Sequence, residues 1–499
     1  MSQLLKTKSI DALVEAAENK HNKLKRSLGP FSLIAFGIGA VIGAGIFTVT
    51  GTAAAGQHMA IPSILNAPVL DLILHGTTAA SLVGRPGAGP GVTLSFILVA
   101  ITCGFAALCY AELAAMIPIA GSAYTYAYTT LGEVFAWIIG WDLILEYAVS
   151  NMSVAVGFSA YFNVMCDYLF GAHLPKYLSE PAIVEGHFTG SLFNVPALLI
   201  VMLLSWLLVR GVKESAGANN VMVAIKVGAI LIFVFGAAHA ITAANLHPFL
   251  PNGFPGVLTG GAIVFFTFIG FDSVSTAAEE CTDPQRNMPV GILGTLVFCG
   301  ILYALVGFVL TGIVSWKTLD NDAPVANALQ AIGMNRLRFT VTVGALLGML
   351  SSLLVYQYGQ ARIWFAMSRD RLLPDVFSKV HIKYRTPHVS TWVAGLAVGI
   401  PAGVWDIGTF AELSNIGTLF AFVIVSVGVI VLRRRHPDRP RPFRVPFSPV
   451  TPVLSVVCCT GLMLGLPLET WIRFWVWLLI GLFVYFCYSR KRSPLHSTL

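Results

Sequence analysis

Ile38-Gly39-Ala40-Val41-Ile42-Gly43-Ala44-Gly45-Ile46-Phe47 lies in the middle of an apolar run, 31-56, long enough to cross a membrane as helix. Each glycine weakens a helix by roughly 1 kcal/mol relative to alanine, so the three within this stretch make local unwinding cheap. Lipid cannot satisfy the N–H and C=O groups of opened backbone. A span interrupted at that depth must therefore line a cavity within a larger bundle. A second run, Phe265-Phe266-Thr267-Phe268-Ile269-Gly270-Phe271-Asp272-Ser273, carries a glycine and an acid at mid-span in the same manner.

The remainder of the chain is suited to the same solvent. Its 499 residues are 56% hydrophobic and 11% charged, with a mean hydropathy of +0.77. Those polar groups are too few to cover a water-soluble globule of this size. Apolar stretches near the roughly 20 residues that a crossing helix needs recur about twelve times. They fall at 31-56, 92-117, 133-166, 193-210, 216-241, 255-279, 290-314, 339-368, 388-404, 408-432, 450-467 and 471-488. The fold class predicted is an all-α integral membrane protein with about twelve transmembrane helices. When the first ten are divided into two sets of five, the two interrupted runs fall in the first and sixth spans. Broken spans at matching positions of two halves point to the solute site of an inverted-repeat transporter.

Charge placement orients the chain. The net charge is +7, but the basic residues cluster in alternate loops, above all in the N-terminal segment and at Arg433, Arg434, Arg435, Arg439, Arg441 and Arg444. The positive-inside rule makes both cytoplasmic and removes nucleic acid as a partner. The organisation read from this is a cytosolic tail 1-30, a first five-helix repeat 31-241 with an external loop 57-91, and a second repeat 255-432. A basic cytoplasmic loop 433-449, two trailing helices 450-488 and a cytosolic tail 489-499 follow. Leu13, Val14 and Ala17 suggest a short amphipathic helix in the first tail. The eight cysteines lack ligand-like spacing and read as small apolar residues, so no metal site or cofactor is expected.

Half-helix ends define what the breaks would bind. Free N–H groups around Ala44, Gly45 and Ile46 form a positive helix N-terminus suited to a carboxylate. Unwound carbonyls of Phe266, Thr267 and Ile269, with that of Ile42, would accept from an ammonium group. A zwitterion fits both. Lys226, deep in the fifth span, is a functional candidate by position, since a lysine in a dry, polar-lined pocket can gain and lose a proton during a transport cycle. Glu146 and Asp272 are the further candidates. Glu146 shares a helix face with Asp142 and would contact a cationic substrate, pair with a base, join a proton path or simply pack as a neutral carboxyl. Asp272 follows the second break and would help organise it. Tyr124, Tyr126 and Tyr128 read as interfacial aromatics, and Arg362 is expected to pair with a carboxylate. No phosphate-binding loop, His/Glu metal motif or nucleophile triad is present, which leaves ATP-driven pumping and enzymatic chemistry without support.

At these residues the chain resembles the amino acid-polyamine-organocation superfamily, most closely bacterial relatives of the cationic amino acid transporters. The marks are Gly37 to Phe47, Cys109-Tyr110-Ala111-Glu112, Gly121-Ser122-Ala123-Tyr124 and Ile144-Leu145-Glu146-Tyr147. Phe268-Ile269-Gly270-Phe271-Asp272, Glu279-Glu280, Asn287-Met288-Pro289, Ala366-Met367-Ser368-Arg369-Asp370 and Thr386-Pro387 extend them along nearly the whole chain. The resemblance implies a leucine-transporter-type fold: five plus five spans in inverted repeat, helices 1 and 6 broken, and alternating access. It assigns the substrate carboxylate to Gly43, Ala44 and Gly45 and the amino group to Phe266, Thr267 and Ile269, with Ile42, Ile46 and Phe268 beside them. Lys226 matches the lysine that stands in place of a sodium ion in proton-dependent relatives. Arg371 departs from the pattern, since relatives commonly carry glycine there. The expected function is proton-coupled uptake of an amino acid across the cytoplasmic membrane, with proton and lipid bilayer as further partners. Exchange without net proton movement and a non-transporting amino acid sensor remain alternatives.

Overall fold

The computed structural model describes residues 6–10, 26, 28–57, 85–119, 121–184, 187–210, 216–384 and 386–492. The chain is a bundle of helices. In order they are α1 (Pro30–Val41), α2 (Gly45–Ala55), α3 (Val92–Met116), α4 (Ser122–Thr130) and α5 (Glu133–Phe170). Next come α6 (Val195–Arg210), α7 (Ala216–Ala237), α8 (Gly253–Val264), α9 (Pro284–Ile313) and α10 (Pro324–Ala331). The last are α11 (Asn335–Arg369), α12 (His388–Val404), α13 (Ile407–Arg435), α14 (Val450–Leu464) and α15 (Leu468–Val484).

Among the described residues, eight helices are long and apolar enough to cross a membrane, and α1 with α2 forms a ninth bent by 53°. The shorter α6, α12 and α14 are also apolar. Each coincides with a predicted span to within a few residues. The exception is α9, which starts at Pro284 rather than at 290 because its polar first turn opens on a proline. Proline's fixed φ suits that position and its missing N–H costs nothing there. Asp406 caps α13 by accepting from the Thr409 amide at 3.1 Å. Gly171, at φ +63°, ends α5 four residues past the predicted end.

Two ends of the bundle can be told apart by the N-terminal segment, and are called the tail side and the far side. On the tail side residues 6–10 are pinned in place. The Glu133 amide donates to the Lys6 carbonyl at 3.2 Å and the Lys8 amide to the Tyr128 carbonyl at 3.3 Å. The Lys8 ammonium lies 3.3 Å from Asp370 and 4.4 Å above the Tyr128 ring, and Ile10 is buried. The suggested amphipathic helix at Leu13, Val14 and Ala17 lies outside the described residues. Leu28, just before α1, is strapped to the end of the second broken segment: its amide donates to Glu280 and its carbonyl accepts from the Thr282 amide, both at 3.0 Å. Buried Glu112 accepts from Arg433 and from the Val445 amide at 2.7 Å, and the Arg441 guanidinium faces it as an ion pair at 3.4 Å.

On the far side only the ends of the predicted external loop are described. Gly56 and Gln57 pair antiparallel with Arg85 and Pro86. Arg85 is wholly buried, donating to Glu412 at 2.6 Å, Gln57 at 2.8 Å and the Gly465 carbonyl at 3.0 Å. Helix α15 is clamped to α5 by two indoles stacked 4.6 Å apart, each donating to the other's carbonyl: Trp141 to Trp477 at 2.9 Å and Trp477 to Trp141 at 3.2 Å.

Two sequence readings change here. Tyr126 and Tyr128 are buried rather than interfacial, and Tyr124 and Tyr128 spend their hydroxyls on Asp370 and Glu133. Arg362 lies 3.9 Å over the Tyr358 ring, with Glu280 and Glu279 as the opposite charges acting on it. All eight cysteines are unpaired.

Candidate functional site

The two interrupted runs break where their glycines are. Helix α1 ends at Val41, Ile42 to Ala44 are non-helical, and α2 restarts at Gly45. The first-turn amides of α2, at Gly45 and Ile46, lack an i−4 partner by helix geometry and point the positive end of a helix into the break. In the second run α8 tightens at Phe265–Phe268 into a 3₁₀ turn, and the helical path is interrupted at Ile269 and Gly270, the latter at φ +114°. Ten residues of 3₁₀ geometry, Phe271–Glu280, continue to the tail side. Thr267 donates its hydroxyl to the Val264 carbonyl at 2.7 Å, satisfying an acceptor that the end of α8 leaves open.

The breaks lie against one another, and glycine is what lets them. A Cβ on Gly45 would stand 3.0 Å from Thr267 Cγ2, 3.1 Å from Phe266 Cδ1 and 3.2 Å from Thr267 Cα. One on Gly270 would stand 3.2 Å from the Ala40 carbonyl. Thus Ile42, Gly43, Ala44, Gly45 and Ile46 share one small region with Phe266, Thr267 and Ile269. Phe268 belongs to it only through its backbone, because its ring packs edge-on to Tyr303 at 5.3 Å and beside Phe96. Every one of these residues is buried.

Lys226 is joined to the first break. From α7, with no exposed surface, its ammonium donates to the carbonyls of Gly39 at 2.6 Å and Ile42 at 2.9 Å and sits 3.4 Å from the Ser351 hydroxyl. Ser352 donates to Ile42 as well, at 3.1 Å, so the carbonyl that the sequence offered to a substrate amino group accepts from a lysine and a serine. Tyr303 closes the neighbouring Val41 carbonyl at 3.1 Å. At the second break, the Tyr356 hydroxyl lies 3.3 Å from the Ile269 carbonyl, with its ring edge-on to Tyr147 at 5.8 Å.

Glu146 and Asp272 form a separate group on the tail side of the breaks. They are buried, close enough to interact as charges, and surrounded by Tyr110, Tyr147 and Tyr356. One turn from Glu146, Asp142 is fully buried over Gly417 of α13, and neither of its oxygens has a hydrogen-bond partner among the described residues. No group of His, Cys, Asp and Glu among the described residues could hold a metal ion.

Ser351, Ser352, Tyr303 and Tyr356 escaped the sequence reading. The adjacent serines inside Leu350-Ser351-Ser352-Leu353 were the available signal, because paired hydroxyls in an apolar run are costly unless they bond something.

Residues 28–485 match the family described as amino acid permease. The branched-chain amino acid permease BcaP of Bacillus subtilis (strain 168) is 46% identical over 496 residues, covering 99% of each chain. The methylthioribose transporter of the same organism is 42% identical over the full length of both. A cationic amino acid transporter of Arabidopsis thaliana, the chloroplastic number 9, is 35% identical over 83% of this chain and 67% of its own. These relatives are transporters, not enzymes. With two broken, glycine-hinged runs meeting inside an all-helical membrane bundle, the chain belongs to the amino acid permease family of the amino acid-polyamine-organocation superfamily.

Proposed function

We propose that this protein is a secondary active amino acid transporter of the cytoplasmic membrane, driven by protons and working by alternating access around the two breaks. The observation that carries the reading is the Lys226 ammonium on the Gly39 and Ile42 carbonyls. A fixed positive charge there does what a bound cation would do: it neutralises carbonyl oxygens that a helix break has stripped of their amides. Loss of its proton leaves those carbonyls with weaker donors and loosens α1 from α7 and α11, coupling protonation to the geometry of the solute site. The α2 amides at Gly45 and Ile46 take the substrate carboxylate, and the Phe266, Thr267 and Ile269 carbonyls take its amino group. Glu146 and Asp272 serve as a proton path on the tail side.

In this reading all twelve apolar stretches cross the membrane, 31-241 and 255-432 are inverted repeats, and the tail side with both termini is cytoplasmic. Similarity to a branched-chain permease favours an aliphatic side chain over a cationic one. A second reading, methylthioribose as solute, draws on the relative of that name. That molecule has no carboxylate for the α2 amides, which is why an amino acid is preferred.

The test is uptake of labelled amino acids and of methylthioribose into sodium-free proteoliposomes, with and without an inward proton gradient, beside Lys226→Ala. Gradient-driven accumulation of an amino acid, lost in the variant, is expected. Uptake that needs amino acid loaded inside and ignores the gradient would make the protein an exchanger.

A further inference from the structure

A cavity of about 440 Å³ lies between the far-side halves of α5 and α6. Phe158 and Phe162 of α5, Leu199 and Leu203 of α6, and Leu174 and Pro175 of the connecting loop are among its lining residues, all of which are apolar. Phe162, Leu199 and Leu203 are exposed, so it opens sideways from the bundle toward the membrane.

We propose that this cavity binds one acyl chain of a phospholipid from the far-side leaflet. Three observations select that occupant. Helix α6 has 16 residues and so spans about 24 Å, less than the roughly 30 Å of a hydrocarbon core. Exposed Arg210 over the Trp206 ring holds its tail end at headgroup level, so the shortfall falls at its far end, at the depth of acyl chains. Tyr168, Phe170, Tyr177 and Phe188, all exposed, surround the loop above it and form the aromatic belt expected at headgroup level. The loop is also built to stay in place over the opening. The Tyr177 carbonyl accepts the Leu192 amide at 3.0 Å, and the Asn194 amide donates to Gly403 at the end of α12 at 2.8 Å. Asn194 Oδ1 receives the Ser159 hydroxyl at 2.6 Å. A bound chain fills space beneath a roof fastened to both α5 and α12. The inference depends only on membrane insertion, and neither the solute nor its coupling enters it.

The experiment reconstitutes the full chain in vesicles of phosphatidylglycerol bearing a diazirine in one acyl chain, irradiates them, and maps lipid adducts by peptide mass spectrometry. Adducts on Phe162, Leu199 and Leu203 should exceed those on Ile232 and Ile301, apolar residues as exposed on other helices, several-fold. Leu199→Trp, which fills the cavity, should bring the α6 adducts down to the level of those controls within the same folded molecule. Even labelling of all exposed positions would mean ordinary boundary lipid and overturn the proposal. Adducts on a co-purifying polypeptide in place of α6 would overturn it in favour of a protein partner.

Discussion

The Lys226 ammonium stands 2.9 Å from the Ile42 carbonyl oxygen, so a side chain of α7 supplies the donor that the break after α1 removes. Because Ser352 of α11 shares that oxygen, one atom of backbone joins three helices.

Lys226→Ala should abolish proton-driven accumulation while leaving the chain folded. Charge-assisted hydrogen bonds are worth about 1.5–3 kcal/mol each, so a fall in melting temperature should accompany the loss. Uptake against a pH gradient and a thermal melt, compared side by side, check both parts. Retained accumulation would remove Lys226 from the coupling.

Gly45→Ala brings a methyl group to 3.2 Å from Thr267 Cα, a backbone atom with no rotamer to escape into. Overpacking of this kind costs about 1–3 kcal/mol, and here it pries apart the two breaks. Transport should drop at least about tenfold, the rate equivalent of 1.4 kcal/mol. Near-normal uptake would mean the breaks are not in contact during the cycle.

Glu412→Gln leaves the Arg85 guanidinium buried without its counter-charge and should destabilise the protein by about 3–5 kcal/mol. The double variant Arg85→Met with Glu412→Leu should recover most of that, since an apolar pair avoids the cost of burying charge. Chemical denaturation of the two variants distinguishes a pair held for stability from one held for geometry.

Lys8→Ala offers the contrast. Its ion pair with Asp370 is partly exposed, so stability should change by no more than about 1 kcal/mol, and less at high salt. A melt in low and high salt is sufficient to read it.

Arg371→Gly should be neutral to mildly stabilising. Arg371 holds φ +59°, the left-handed region that costs a side-chain-bearing residue about 1–2 kcal/mol, while glycine's larger unfolded-state entropy returns roughly 0.5–1. A melting temperature lowered by more than a few degrees would mean the arginine makes a contact that outweighs its backbone.

The breaks are legible in the sequence because helix propensity is local: glycine density at 39–45 and Gly270 beside Asp272 mark them without any knowledge of neighbours. Lys226 is legible because an ammonium three turns inside an apolar run is too costly to keep unless it bonds something there. What stays hidden is pairing across the bundle. Arg85 and Glu412 are 327 positions apart, and nothing near either names the other. Ser351 and Ser352 look like hydroxyls that could bond their own helix, and only the packing of α11 against the break turns them toward Lys226 and Ile42. The same gap hid that the Ile42 carbonyl accepts from Lys226 and Ser352. The left-handed backbone at Arg371, a property of the turn after α11, is a conformation that suits glycine, and nothing in the neighbouring residues announces it.

The strap at Leu28 has one more consequence. It fastens the start of α1 to the end of the Phe271–Glu280 segment, tying the tail-side halves of both broken runs together. In the proposed alternating-access cycle, moving one of them without the other would first break those two backbone hydrogen bonds.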